Sequence, residues 1–187
     1  PGSRRSEIRR VAPTLVAAGE RLMRGRDNRV VVCVAAESVE ASVREMARTW
    51  KFPHVIAAGE AGKADAFASM EVAVACSGTV TTELAAQGAA IVVGYKLGWV
   101  TWALARLLLM RSRFITLLNV AAGREIAPEF VQTRFTPANV ATAAERLLSD
   151  PGALETQKRR QAEALKLMAG PGRPAAEIAA EKILTLA

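Results

Sequence analysis

Five short runs of apolar residues punctuate the chain, at 30–34, 55–58, 72–75, 90–93 and 114–117. Each is apolar at successive rather than alternate positions, and each ends at turn-forming residues such as Gly59, Ser77-Gly78, Gly94 or Asn119. Strands buried on both faces of a parallel sheet carry this pattern. Between the runs, apolar residues recur at helical spacing: Ile8, Val11, Leu15 and Leu22 within 5–24, and Val43, Met46 and Trp50 within 40–50. Shorter helices are predicted at 64–70 and 80–87, the second closed by Gly88 in the position a helix-ending glycine takes. Strand alternating with helix predicts an α/β fold, a Rossmann-like and mostly parallel sheet flanked by helices. After Thr136, a good N-cap ahead of Pro137, only helices follow. They are expected at 138–148, 151–168 and, beyond the hinge Gly170-Pro171-Gly172, 175–186. The division expected is a Rossmann-like domain over 1–136 and C-terminal helices over 137–187, packing on or crossing from it.

Composition narrows the class. With 51% apolar and 23% charged residues the chain is an ordinary globular one, so disorder is excluded as its main state. Aromatics are only 5%, which favours close-packed helices on a sheet over a β-sandwich. The formal charge of +7 points to an acidic partner: nucleic acid, a phosphate-bearing ligand or an anionic membrane surface. Two cysteines, Cys33 and Cys76, and one histidine, His54, cannot build a disulfide scaffold or a zinc site, and a reducing compartment fits them. His54 is expected to be structural. No signal-peptide pattern opens the chain, and a start at Pro1 rather than Met suggests sequence upstream. Residues 91–110 are the most hydrophobic stretch, but Lys96 and Arg106 argue against a membrane span. Within it, 99–111 is expected as a helix apolar nearly all round, in the core or at a dimer interface. Its alternative is contact with lipid, aided by Arg106, Arg111 and Arg113.

Three turns carry the candidate chemistry. Pro1-Gly2-Ser3-Arg4 precedes the first helix. Glycine lets backbone approach a ligand, Ser3 can cap the helix, and Arg4 can fork onto a phosphate. Cys76-Ser77-Gly78-Thr79 follows a strand and opens a helix; Ser77, the Gly78 amide and Thr79 can donate to an anion. Glu83, one helical turn on, suits two ribose hydroxyls. In the third turn Asn119 follows a predicted strand and Gly123-Arg124 opens the next segment, so an amide and a guanidinium can reach phosphate. Each turn alone is also an ordinary helix start or loop. Together they stand at strand C-termini, where open α/β sheets bind ligands.

The blocks Pro1-Gly2-Ser3-Arg4-Arg5-Ser6-Glu7-Ile8, Ser77-Gly78-Thr79 with Glu83, Val92-Val93-Gly94-Tyr95-Lys96, and Leu118-Asn119-Val120-Ala121-Ala122-Gly123-Arg124-Glu125 with Pro128-Glu129 resemble, in order and spacing, the lipid-A-disaccharide synthases. The resemblance implies a GT-B glycosyltransferase, of which this chain is the C-terminal half that binds the nucleotide sugar, without its first strand. It implies a donor, UDP-2,3-diacylglucosamine, and an acceptor, 2,3-diacylglucosamine 1-phosphate. The product is a β-1,6-linked disaccharide of lipid A biosynthesis, formed by inversion with release of UDP. Neither a cofactor nor a metal is implied. Gly2, Ser3, Arg4, Ser77, Gly78, Thr79, Glu83, Asn119 and Arg124 are the UDP-sugar-binding residues expected. Arg4 and Asn119 would meet the diphosphate, Glu83 the ribose, and the loop at Gly59-Glu60-Ala61-Gly62 the uracil. No catalytic residue is expected here; the base belongs to the family's other half, and the chain alone is expected to lack turnover. The family's usual Leu-Pro-Asn reads Leu117-Leu118-Asn119, and its Gly-Tyr-Arg reads Gly94-Tyr95-Lys96, where lysine keeps charge but loses the fork.

A lipid substrate suits a cytoplasmic enzyme peripheral on the inner face of the bacterial inner membrane, with the basic face of 5–29 toward anionic headgroups. Pairing through the C-terminal region makes a homodimer an expectation. The alternatives are another UDP-sugar GT-B enzyme and a basic nucleotide- or nucleic-acid-binding module. The Asn119–Arg124 block argues against the first. The absence of interleaved aromatics and of any helix-turn-helix or RNA-binding signature argues against nucleic acid. Cys76, with no histidine partner in prospect, reads as a small buried residue.

Overall fold

The apolar runs form parallel strands because each can bury both faces between helices. The computed structural model describes residues 1–26, 28–98, 102, 113–170, 172 and 175–186. Helix α1 (Arg5–Leu22) leads to β1 (Val31–Ala35), a 3₁₀ turn at Glu37–Val39 and α2 (Glu40–Ala47). Then come β2 (His54–Ala58), α3 (Gly59–Ser69), β3 (Val72–Cys76), α4 (Val80–Ala86) and β4 (Ala90–Tyr95). Helix α5 (Leu117–Ala122), β5 (Glu129–Val131), α6 (Pro137–Ser149), α7 (Pro151–Ala169) and α8 (Ala175–Leu186) complete the described elements. All described strand pairs are parallel. They fall into two sheets: β1 beside β2, and β3-β4-β5 with β4 central.

Alternation along β3 and β4 builds two cores. Ala73, Ala75, Ile91 and Val93 face α4, α5 and α7, meeting Leu84, Leu118 and Ala164. Ala90 and Val92, with Val72 and Val74 partly buried, face Val11 and Ala18 of α1 and Val140, Ala144 and Leu147 of α6. A third cluster joins Ile8 and Ala12 of α1 to Ala35, Val39 and Val43 beside β1. Helix α1 therefore lies over both sheets. Helix α6 belongs to the core of the larger one, and α7 is tied to it by two buried glutamines. Gln161 donates to the Ala89 carbonyl (2.7 Å) and accepts from the Ile91 amide (3.1 Å), while Gln157 donates to the Ile91 carbonyl (2.7 Å).

Local chemistry explains the helix ends. The Thr136 side chain accepts from the Asn139 amide (3.2 Å) and Asp150 from the Ala153 amide (3.0 Å), each followed by proline in the first turn. Gly88, at φ +81°, ends α4 as expected. His54 Nδ1 donates to the Phe52 carbonyl (2.8 Å), and the ring sits edge-on to Trp50, the structural place expected of it.

Three elements differ from expectation. The strand expected at 114–117 is not one: Leu117 begins α5, and Gly123, at φ +65°, ends that helix rather than opening the next segment. A short apolar run is ambiguous between strand and buried helix, and here the helix buries Leu118 and Asn119 completely. The strand beside β4 is instead β5, three residues led by a buried glutamate. Helix α3 starts at Gly59, so the expected loop at 59–62 is its first turn. Helix α2 stops at Ala47, freeing Trp50 to stack on Phe52, ring centroids 5.6 Å apart. The helix expected at 99–111 lies outside the described residues apart from Trp102.

Candidate functional site

The C-terminal ends of β1, β2, β3 and β4 open into one cleft of about 1490 Å³. Its mouth is lined by Gly2, Ser3 and Arg4 before α1, by Ser77, Gly78 and Thr79 between β3 and α4, and by Glu83. Seven of the residues expected at the site are thus brought together, six on the turns at 2–4 and 77–79 and Glu83 in the first turn of α4. Glu60 and Lys63 of α3 and Tyr95 at the end of β4 share the cavity.

The Pro1–Arg4 turn is held by Glu7 rather than by Ser3. Residue 4 is the N-cap and no side chain caps α1; the Ser3 cap expected is not made. Instead the Ser3 amide, one residue before the N-cap, donates to Glu7 Oε2 (3.1 Å), a backward reach like that of a capping box. Tyr95 donates to Glu7 Oε1 (3.4 Å), and the Ser38 hydroxyl donates to the Ser3 carbonyl (3.0 Å). Burial, then Glu7, pushes the Tyr95 phenol up, so it stays a donor. Gly2 has φ +114°, and a Cβ there would stand 2.9 Å from Glu7 Oε2, so only glycine fits the turn. The Arg4 guanidinium lies 3.7 Å from Glu7 Oε1 with 78% of its side chain exposed, which leaves its fork available.

On the opposite wall, Glu83 Oε2 accepts from Lys63 Nζ at 2.7 Å. That hydrogen bond is the main reason the Lys63 amine is pushed up. Lys63 also lies 5.5 Å from the Phe67 ring centroid. Thr81 and Thr82 donate to the Gly78 and Thr79 carbonyls (2.7 and 2.6 Å), fixing the turn, and a Cβ on Gly78 would meet nothing within 4 Å. The backbone at Gly78 is therefore open to the cleft. Sequence reasoning missed Lys63 and the holding role of Glu7. Glu7 stands three residues after Arg4, a spacing that could have suggested the capping contact; Lys63 carries no such local signal.

Asn119 and Arg124 are not brought to this cavity. Asn119 is fully buried. Its Nδ2 donates to the Ala127 carbonyl (2.9 Å) and Glu129 Oε2 (3.2 Å), and its Oδ1 accepts from the Ile126 and Ala127 amides (2.8 and 3.0 Å). An amide side chain has two donor and two acceptor positions, so nothing is left for a ligand. Its work here is to hold the α5–β5 connection and, with the Ile115 and Thr116 amides, to satisfy the buried Glu129 carboxylate. Arg124 lines a separate open pocket with Arg113, Phe114, Val120, Gly123 and Glu125.

Cys76 is buried at the end of β3, and burial pushes its thiol up to about 11 from 9.0, with Glu7 adding a little. It is no nucleophile at neutral pH, as expected. Between those two values the unfolded chain releases the thiol proton while the folded chain keeps it. Stability is therefore intact below pH 9 and lost as pH rises toward 11, by about 3 kcal/mol across the window. In urea melts at successive pH values, Cys76→Ala is expected to decline less steeply over this range than the unchanged protein. Among the described residues no three His, Cys, Asp or Glu side chains come together as a metal site.

Comparison with known proteins gives the family. The family model described as lipid-A-disaccharide synthetase matches residues 1–183. The chain belongs to that family. A lipid-A-disaccharide synthase of Rhodospirillum centenum is 34% identical over 186 residues, covering 100% of this chain and 46% of the relative. That of Gluconobacter oxydans is 34% identical over 187 residues, 100% of this chain and 45% of the relative. That of Solibacter usitatus is 37% identical over 182 residues, 95% of this chain and 46% of the relative. The chain thus spans about half the length of the lipid-A-disaccharide synthases it matches. Its α/β fold, with parallel sheets flanked by helices, is consistent with the C-terminal half of a GT-B enzyme of this family.

Proposed function

We propose that the chain forms the donor-binding half of a glycosyltransferase of lipid A biosynthesis. The whole enzyme transfers 2,3-diacylglucosamine from UDP to 2,3-diacylglucosamine 1-phosphate, forming a β-1,6 disaccharide and releasing UDP. The observation that carries this reading is the convergence of the 2–4 and 77–79 turns, with Glu83 and Lys63, on one mouth at the strand C-termini. Such a mouth suits a nucleoside diphosphate. Arg4 supplies a forked cation for the diphosphate, and the open backbone at Gly78 with the Ser77 and Thr79 hydroxyls supplies neutral donors. Glu83 accepts from the ribose hydroxyls, with Lys63 fixing its carboxylate. The base that deprotonates the acceptor hydroxyl lies in the other half of the enzyme, so the 187-residue chain binds UDP without turnover.

Arg113 and Arg124 line one open pocket with Val120 of α5, 44% exposed, and Leu117 of the same helix is 49% exposed. Apolar side chains beside arginines suit contact with anionic headgroups, in keeping with a peripheral enzyme on the inner face of the bacterial inner membrane. No helix among the described residues is long and apolar enough to cross a membrane. Leu167 of α7 and Ile183 and Leu184 of α8, all two-thirds exposed or more, favour a homodimer through the C-terminal helices. Sedimentation across a concentration series checks that pairing.

Calorimetric titration with UDP tests the central reading. Removing a charge-assisted contact costs about 1.5–3 kcal/mol, so Arg4→Ala is expected to weaken UDP roughly 10- to 100-fold. Equal affinity in the unchanged and Arg4→Ala proteins would remove Arg4 from the site.

A further inference from the structure

The turn at 2–4 is moulded on one side chain, Glu7 of α1. Glu7 Oε2 accepts from the Ser3 amide (3.1 Å), and Gly2 folds so close that a Cβ there would stand 2.9 Å from Glu7 Cβ. Glu7 Oε1 lies 3.7 Å from Arg4 Nη1. The Ser38 hydroxyl, donating to the Ser3 carbonyl (3.0 Å), secures the backbone on the turn's other side. A glutamate side chain has several staggered rotamers open to it, so the place of this carboxylate needs a fixed point outside the turn. The Tyr95 hydroxyl supplies one: it donates to Glu7 Oε1 (3.4 Å) from 88 residues away in the chain.

Tyr95 itself sits on firmly held backbone. It ends β4, the central strand of the larger sheet, opposite Val131 of β5. Before it, Gly94 lies against the buried Phe135 ring with no room for a Cβ. After it, the buried Gln132 side chain clasps Leu97. The Leu97 amide donates to Gln132 Oε1 (2.8 Å), and Gln132 Nε2 donates to the Leu97 carbonyl (3.3 Å). Gln132 does this from φ +52°, a left-handed conformation that persists in a non-glycine residue only where its surroundings over-determine it. Burial, and then the Glu7 carboxylate, push the Tyr95 phenol up, so it keeps the hydrogen it donates.

We propose that Tyr95 is a positioning residue for the diphosphate: by fixing Glu7 it sets the 2–4 turn and aims the Arg4 guanidinium at the mouth of the cleft. The proposal rests on the UDP reading of that mouth. The turn at 77–79 is built separately, from the Thr81 and Thr82 hydroxyls of its own helix, and serves as the internal control.

The test is a set of calorimetric UDP titrations on the 187-residue chain, on Tyr95→Phe, Arg4→Ala and Thr79→Ala, and on Tyr95→Phe combined with each of the other two. Tyr95→Phe removes one hydroxyl and keeps the ring, and is expected to weaken UDP about three- to tenfold. In the Arg4→Ala background the same change is expected to cost little, because the group it positions is gone. Its cost is expected to add in full to that of Thr79→Ala, on the other turn. Without ligand, Tyr95→Phe is expected to move the Ser3 and Arg4 amide resonances and leave those of Gly78 and Thr79 in place. If the parent chain binds UDP and Tyr95→Phe binds it equally well, the proposal is overturned and the UDP reading stands. A cost that adds alike to Arg4→Ala and to Thr79→Ala would mean general loosening, and overturns it as well. So does loss of folding in Tyr95→Phe, which would make the hydroxyl a structural group. A parent chain that binds no UDP ends the reading beneath the proposal, and the proposal with it.

Discussion

Asn119→Ala is expected to cost about 3–5 kcal/mol of folding stability, a fall of roughly 10 °C or more in the melting temperature. Four hydrogen bonds go at once. The amides of Ile126 and Ala127 and the carbonyl of Ala127 lose their buried partner, and the Glu129 carboxylate loses one of three donors. The cost is large because unmade buried bonds are charged at the desolvation of each orphaned group, not at the small net worth of a bond. Asn119→Asp separates geometry from charge: it keeps the acceptor for the two amides but sets a carboxylate 3.2 Å from Glu129, and should destabilise nearly as much. Thermal melts of the three proteins check this. A ligand-binding asparagine would behave differently, losing UDP affinity while leaving the fold intact.

Gly94→Ala is the second large effect. A Cβ at Gly94 would lie 2.1 Å from Phe135 Cε2 and 2.6 Å from Cδ2, closer than any real contact. Phe135 is itself buried at 4% exposure against Val92 and Val140, so its ring has nowhere to swing. Overpacking of a core costs about 1–3 kcal/mol, and an overlap this deep between a backbone-fixed methyl and a boxed ring belongs at the upper end. Shrinking the ring should give part of it back: Gly94→Ala with Phe135→Leu is expected to be more stable than the sum of the single changes implies. A double-mutant cycle from urea melts measures the coupling. Additive single effects would mean that the two positions do not touch.

The alternation of strand and helix was legible because β1 to β4 are short, apolar on successive positions and stopped by turn formers, the pattern that burial between helices imposes. The meeting of the turns at the candidate site was legible for the same reason. Once Ser77-Gly78-Thr79 follows a parallel strand, topology sends it to the ligand end of the sheet, and the turn at 2–4 joins it there. What could not be read is long-range. Leu117-Leu118-Asn119 looks like a strand running into a turn, and only the backbone groups of 126–127, supplied by the following loop, make Asn119 an interior residue. The strand β5 is too short and too polar at Glu129 to show as an apolar run. The Lys63–Glu83 pair joins α3 to α4, which no local spacing announces.

Amide chemical-shift mapping on UDP addition tests the convergence of the strand-end turns most directly. The amides of Gly2, Ser3, Arg4, Ser77, Gly78, Thr79 and Glu83, with Lys63, are expected to move together and saturate with one dissociation constant. Those of Asn119, Ile126 and Ala127 are expected to stay nearly still. Shifts centred on Arg113 and Arg124 instead, or none at any UDP concentration, would contradict a nucleotide site at this mouth.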